Sequence, residues 1–198
     1  MSKLKVERVL DRQSTDHITM KMSEVTDLNG EVHKWDWVQR NVITKAMAVV
    51  PLLYKEGESC QSAEIVLIRQ FRVPVNDYVW EFPAGLMDGE DEDSFDVVSR
   101  ELFEETGLSI IRTFHETPQL YNSPGLTDES ISYVIAEVAG EISDENCGTL
   151  EDLTIHTLSV ADVKRLLQTN EKIDSKCYAW LNWFILQFGA ETIFDWSD

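Results

Sequence analysis

Glu101, Glu104 and Glu105 stand at positions i, i+3 and i+4, directly behind Arg100 and ahead of Thr106-Gly107-Leu108. On a helix this spacing places three carboxylates on one face. Like charges so arranged repel one another and cost stability unless something neutralises them. Several carboxylate oxygens meeting at one place suit a hard divalent cation such as Mg²⁺. Arg100 can pair with a neighbouring carboxylate and hold it in one rotamer. The competing reading is an acidic helix face turned to solvent, which carries weight in a chain with 36 acidic against 17 basic residues.

Other residues have the chemistry to meet a nucleotide. Trp35 and Trp37 lie in the stretch Trp35-Asp36-Trp37-Val38-Gln39-Arg40, and Arg72 closes Gln70-Phe71-Arg72. An aromatic ring recognises a purine through its π-face, and arginine contacts phosphate in a bidentate way. The alternatives are a packed sheet edge for the two tryptophans and a surface ion pair for Arg72. Gly85 has no side chain, so backbone around Ala84-Gly85 can approach a ligand closely. Ser123-Pro124-Gly125 fixes a loop shape without itself binding a base, or else simply joins two strands.

Composition narrows the classes. The net charge of −19 argues against a general nucleic-acid binder, which needs Lys and Arg to replace counterions. A small phosphate ligand remains compatible, because a metal can bring the missing positive charge. Six tryptophans exceed what one core uses for packing and invite a stacking or interface role. Cys60, Cys147 and Cys177 are scattered, with no zinc spacing, as suits a reducing compartment. No apolar run reaches membrane-spanning length and no signal-peptide pattern opens the chain, so no membrane partner and a cytoplasmic location are expected.

The elements that must position these residues follow from periodicity. Leu4–Leu10 and His17–Met22 read as strands, Asn29-Gly30 as a hairpin turn, and Glu31–Val38 as the returning strand. Together they form a small antiparallel module over residues 1–42. Ile43–Leu53 and Ala63–Ile68 read as buried strands flanking a polar loop at Lys55–Ser62, and Tyr78–Pro83 is extended. Gly85 and Gly89 bracket a loop. Asp91–Thr106 reads as a helix closed by Gly107, with Phe95, Val98 and Leu102 facing its core. Leu108–Glu116, an alternating Ile131–Val138 and Leu153–Val160 are further strands, with a loop at Gly140–Glu151. Val160–Gln168 and Lys176–Phe188 are closing helices. The order predicts an α/β sandwich with a mixed sheet over residues 43–198.

Arg100-Glu101-Leu102-Phe103-Glu104-Glu105-Thr106-Gly107-Leu108 resembles the closing half of the Nudix box, and Gly85 resembles its opening glycine. The resemblance implies the Nudix α/β/α sandwich, with the box as loop-helix-loop. It implies a metal site at Glu101 and Glu105, joined by Glu104, for Mg²⁺ with Mn²⁺ able to replace it. Gly85 and Arg100 lie fifteen residues apart, one more than the pattern. The early acid of the box therefore falls on Asp91 counted forward and on Glu92 counted back, and Glu92 is preferred.

Glu81-Phe82-Pro83-Ala84-Gly85-Leu86-Met87-Asp88 resembles the corresponding stretch of ADP-ribose pyrophosphatases, and so does Ser123–Glu129. Pro124 lies sixteen residues beyond Leu108, the position that marks this substrate class. The resemblance implies Trp35 as a ring stacking on adenine, Arg40 as its charged neighbour and Arg72 as a diphosphate contact. Glu81, Ala84, Gly85, Pro124, Gly125 and Glu129 complete the implied substrate site. A catalytic base is implied in the loop after the box, with Glu151 preferred and Glu145 among the candidates, while Arg100 and Glu104 support the chemistry. His156 is expected to be structural.

The function so implied is Mg²⁺-dependent hydrolysis of ADP-ribose to AMP and ribose 5-phosphate by a homodimer paired through the N-terminal module. Alternatives are another nucleotide substrate (a nucleoside diphosphate sugar, a dinucleotide polyphosphate, NADH or FAD) and a non-catalytic nucleotide-binding regulatory domain. The intact triad Glu101, Glu104 and Glu105 speaks against the last.

Overall fold

The computed structural model describes residues 4–41, 45–54, 63–87, 93–148 and 152–189. The strands are β1 (Lys5–Ser14), β2 (Ile18–Thr26), β3 (Val32–Arg40), β4 (Lys45–Tyr54), β5 (Ala63–Arg72), β6 (Asp77–Glu81), β7 (Ala84–Leu86), β8 (Ser109–Glu116), β9 (Leu120–Tyr121), β10 (Ser130–Ala139) and β11 (Leu153–Leu158). The helices are α1 (Ser94–Thr106), α2 (Val160–Leu166) and α3 (Ser175–Phe188). The chain divides into two compact units. The first comprises the described residues within Met1–Ala46, Leu86–Glu92 and Pro118–Ser132. The second comprises those within Met47–Gly85, Asp93–Thr117 and Tyr133–Asp198.

The first unit is built on an antiparallel sheet in the order β1-β2-β3. Its β2–β3 hairpin turns where expected. The Asp27 carboxylate accepts from the backbone N–H of Asn29 at 2.8 Å and of Glu31 at 2.9 Å, which fixes the turn. β9, which the sequence does not announce, pairs with the first residues of β10 through Tyr121 and Ser130. The loop between β9 and β10 runs parallel to β3, with Val38 bridged to Thr127.

The second unit holds most of a mixed sheet ordered β11-β5-β4-β10-β8, to which β6 adds beside β5, with helices flanking it. In β4 and β5, Met47–Val50 and Ile65–Ile68 are buried without alternation. Such runs mark strands covered on both faces, and each fully buried Val, Leu or Ile contributes roughly 1.5–3 kcal/mol. Ile131–Val138 is expected to alternate, yet β10 is buried along nearly its whole length. Such continuous burial means that both of its faces are covered, so neither is reserved for polar residues. β5 runs through Arg72, paired with β6 from Ile68 onward.

Helix α1 begins at Ser94, not Asp91, because Asp93 is its N-cap: its carboxylate accepts from the Phe95 N–H at 2.8 Å. It ends as predicted. Gly107 adopts φ 73° and donates its N–H to Phe103, a left-handed conformation that suits glycine. The buried side is Val97, Val98, Leu102, Glu105 and Thr106. Phe95 is a correction: it shares the arc of Val98 and Leu102 but is 48% exposed, in the first turn, short of the packed stretch that starts at Val97. α2 starts in a reciprocal cap between Ser159 and Asp162. α3 starts at Asp174, whose carboxylate accepts from the N–H groups of Lys176 and Cys177.

Three tryptophans find aromatic neighbours in the second unit. Trp180 lies 5.7 Å from Tyr133 and 5.5 Å from Trp183, and Trp80 lies 4.6 Å from His156. Among the described residues no helix is long and apolar enough to cross a membrane. The Lys55–Ser62 loop lies outside the described residues.

Candidate active site

The chain turns sharply between β6 and α1, and that turn meets the acidic face of α1. The Pro83 carbonyl accepts from Val49 N–H at 3.0 Å, which ties the turn to β4. One residue on, the Ala84 N–H donates to Glu105 Oε2 at 3.1 Å. Glu105 is only 4% exposed. A buried carboxylate is costly unless hydrogen-bonded and charge-compensated, so this residue is held for a purpose other than solubility. Gly85, expected at the edge of a loop, lies in the short strand β7. A Cβ built on it would sit 2.0 Å from Glu101 Cδ and Oε1, so the Glu101 carboxylate occupies the space that a side chain would need.

Arg100 spans the acidic face. Its Nη1 donates to Glu101 Oε1 at 2.7 Å and lies 3.8 Å from Glu104 Oε2. Glu104 is the most open of the three, its side chain 46% exposed. The turn and helix thus gather oxygen donors only, one carboxylate buried and one pinned by a guanidinium. This donor set fits a hard divalent cation and gives no soft ligand. A separate group, Asp27, Glu31 and His33, has ligand atoms within 4.8 Å of one another. It forms the β2–β3 turn, where the Asp27 carboxylate already serves the two backbone N–H groups and His33, and it holds none of the box residues.

Arg72 and Glu81 form a second charged pair in the same unit. Arg72 Nε donates to both carboxylate oxygens, at 3.0 and 3.1 Å, and Nη2 joins it. The hydrogen bond to Glu81 makes the Arg72 guanidinium hold its proton more tightly than usual, and the charges of Glu81, Glu105 and Asp174 add to this. Asp174 reaches this end of the sheet because its N–H donates to the Trp80 carbonyl at 3.0 Å. Burial pushes the Cys177 thiol well up, so it is un-ionised and inert there.

The loop after β10 packs on the C-terminal end of α1. Ser143 N–H donates to the Thr106 carbonyl at 2.9 Å, and Cys147 Sγ approaches the Glu104 and Glu105 carbonyls at 3.6 and 3.8 Å. Glu145 is exposed on this loop, its N–H donating to Ser143 Oγ. Glu151 and Glu92 lie outside the described residues, as do Asp88 to Asp91. His156, against Trp80, has its pKa lowered by burial and by the charge of Arg69, which keeps the imidazole neutral.

Trp35, Arg40, Pro124, Gly125 and Glu129 belong to the first unit and form a different cluster. Trp35, Trp37, Tyr121, Pro124, Gly125 and Asp128 help line a pocket of about 290 Å³. Trp35 is 57% exposed, and its indole N–H donates to the Gly125 carbonyl at 3.2 Å. Trp37 is a packed ring by contrast, its N–H donating to Ser23 Oγ at 2.9 Å. Arg40 is engaged with Glu129 in an ion pair, and Asn122 donates to the same carboxylate at 2.8 Å. Sequence reasoning missed Tyr121 and Asp128 as pocket-lining residues, and Gln39 as the donor to Asp128. The period-two register of Trp35, Trp37 and Gln39 on β3 was the one available signal.

An α/β sandwich that aims a carboxylate-rich helix at a proline-glycine turn is a defined class. Residues 43–181 match the NUDIX domain, and the chain belongs to that family. It is 37% identical to an ADP-ribose pyrophosphatase of Saccharomyces cerevisiae over 118 residues, covering 57% of this chain and 48% of that protein. It is 31% identical to a GDP-mannose pyrophosphatase of Citrobacter koseri over 172 residues, covering 81% and 83%. The crystal structure of an ADP compounds hydrolase superposes with a TM-score of 0.74 over 94% of this chain and 96% of that one, at 19% identity, which supports the fold. The matched stretch spans 48% to 62% of three eukaryotic relatives.

Proposed function

We propose that this chain hydrolyses the diphosphate bond of a nucleoside diphosphate joined to a further group, in a reaction that depends on a divalent cation. The observation that carries the reading is the Glu101 and Glu105 pair set against Gly85 and Ala84. A cation bound there, Mg²⁺ or Mn²⁺, would neutralise the diphosphate oxygens and stabilise charge in the transition state. Glu101 and Glu105, with Glu104 and Glu92, would hold it. Arg100 keeps Glu101 in its rotamer. Arg72, already aligned by Glu81, presents its guanidinium edge to phosphate. Backbone at Ala84-Gly85 lies close to the diphosphate. Glu151, or Glu145 on the same loop, takes the proton from the attacking water.

ADP-ribose is the substrate we assign first, giving AMP and ribose 5-phosphate, with Trp35 stacking on the base and Arg40, Pro124, Gly125 and Glu129 shaping its pocket. The aromatic lining of that pocket supports a planar base. GDP-mannose is the second reading, favoured by the relative matched over most of both chains. The purified protein would be incubated with Mg²⁺ and, in parallel, ADP-ribose, GDP-mannose, NADH, a diadenosine polyphosphate and FAD. AMP and ribose 5-phosphate should form fastest, and EDTA should abolish them. Faster release of GMP and mannose 1-phosphate would replace the substrate and keep the chemistry. Turnover undiminished by EDTA would end the metal-dependent reading.

We further propose a homodimer paired through the N-terminal module. Val6, Val9, Ile18 and Met20 on its sheet are exposed apolar residues that a second copy would cover. Light scattering in solution should give twice the chain mass of 22.7 kDa, and a monomer mass would remove this proposal.

A further inference from the structure

β3 is the edge strand of the first unit's sheet, and the loop from Gly125 to Glu129 lies along it residue by residue. Trp35 Nε1 donates to Gly125 O, Val38 N–H donates to Leu126 O at 2.8 Å, Gln39 Nε2 donates to Asp128 Oδ2 at 2.5 Å, and Arg40 pairs with Glu129. The first and third contacts come from Trp35 and Gln39, which share a face of the strand. Trp35, Gly125 and Asp128 all line the same pocket. The other carboxylate oxygen of Asp128 is buried and has no hydrogen-bond partner among the described residues. A part-buried carboxylate served by so few donors depends heavily on the one it has.

We infer that Gln39 and Asp128 are positioning residues that hold the Pro124–Asp128 loop in register against β3, and so set the width of the pocket that takes the nucleotide's base. This rests on the proposed reading of the pocket as the nucleotide's base site, and on the hydrolase reading only for its link to turnover. Gln39 touches no reacting atom. It fixes Asp128, and Asp128 fixes the wall opposite Trp35. Losing the bond weakens the hold of β3 on the loop, which it shares with the Val38–Leu126 hydrogen bond, the Trp35 indole contact and the Arg40–Glu129 ion pair.

The test uses an exchange of donor and acceptor. Gln39→Glu sets two carboxylates against each other. The pair Gln39→Glu with Asp128→Asn restores one carboxylate facing one amide, reversed. Each protein would be measured for kcat and KM with ADP-ribose and Mg²⁺, and for AMP affinity by quenching of tryptophan fluorescence without metal. Gln39→Glu should raise KM and the AMP dissociation constant about tenfold, a loss of about 1.4 kcal/mol, with kcat nearly retained. The double variant should return both to within about twofold. A Gln39→Glu protein with unchanged AMP affinity, or a double variant no better than the single, overturns the inference. If Gln39→Glu does not fold, Gln39→Ala takes its place: a rise in the AMP dissociation constant supports the latch and no rise overturns it. Should the parent protein hydrolyse none of the substrates, the AMP titrations alone decide the latch. In that outcome the hydrolase reading fails separately.

Discussion

Glu105→Gln is expected to lower kcat for the diphosphate substrate by about a thousandfold while the protein melts within a few degrees of the parent. The residue is buried, and its Oε2 accepts from Ala84 N–H. Glutamine has the same shape and keeps an oxygen to accept that hydrogen bond, so the turn between β6 and α1 should survive. What glutamine lacks is the negative charge. A full charge poised in a water-poor site is worth far more than on the surface, and removing one preorganised electrostatic group costs about 10²–10³ in rate in well-studied sites. Glu105 joins the cation donors to the backbone that would face the diphosphate, so its loss should fall at the high end. Steady-state kinetics over a range of Mg²⁺ concentrations, beside a thermal melt, would decide. Unchanged kcat at saturating Mg²⁺ would remove the central claim about the acidic helix.

Gly85→Ala is expected to cost about a hundredfold in kcat with little loss of stability. The added Cβ would fall 2.0 Å from the end of the Glu101 side chain. The three nearest atoms all belong to the flexible Glu101 side chain, so the expected response is for Glu101 to swing away and break its contact with Arg100. The fold tolerates that motion. A displacement of about 1 Å in a reacting constellation can cost about 10²-fold, and here it would affect one of the two carboxylates proposed to hold the cation. The apparent Mg²⁺ requirement should rise together with the fall in kcat. A variant with parental kinetics would show that the observed seat of Glu101 is irrelevant to the reaction. A variant that unfolds would show that Gly85 serves packing rather than chemistry.

These two residues also show what a sequence can carry. The acidic face of α1 was legible because helical spacing alone brings Glu101, Glu104 and Glu105 together, and Gly107 marks the end of the helix by its own conformational need. Gly85 could be identified as a close-approach residue, but not the atom it makes room for, since sixteen positions and a change of direction separate it from Glu101. Phe95 was misplaced for a related reason: angular position on a helix was correct, but burial also depends on where along its axis the packed layer starts. The alternation expected of Ile131–Val138 failed because what packs over each face of the sheet, invisible in local periodicity, decides whether a strand has a wet face. Gln39 and Asp128 were hidden most completely. Each lies in a stretch singled out for other residues, nothing there pairs them, and their bond joins segments 89 residues apart.

That long separation bears on how the protein comes into being. The strand β3 is made well before the segment that closes it, since its outer edge is covered by contacts 89 and 90 residues later in the chain. Until the loop at Gly125–Glu129 has been made, β3 presents an unpaired row of N–H and C=O groups, the kind of template on which other strands add. Closing so long a loop is entropically expensive and slow compared with forming a local hairpin. The β1-β2-β3 sheet therefore precedes by 89 residues the segment that completes it. A chain cut anywhere before Gly125 retains its open edge permanently.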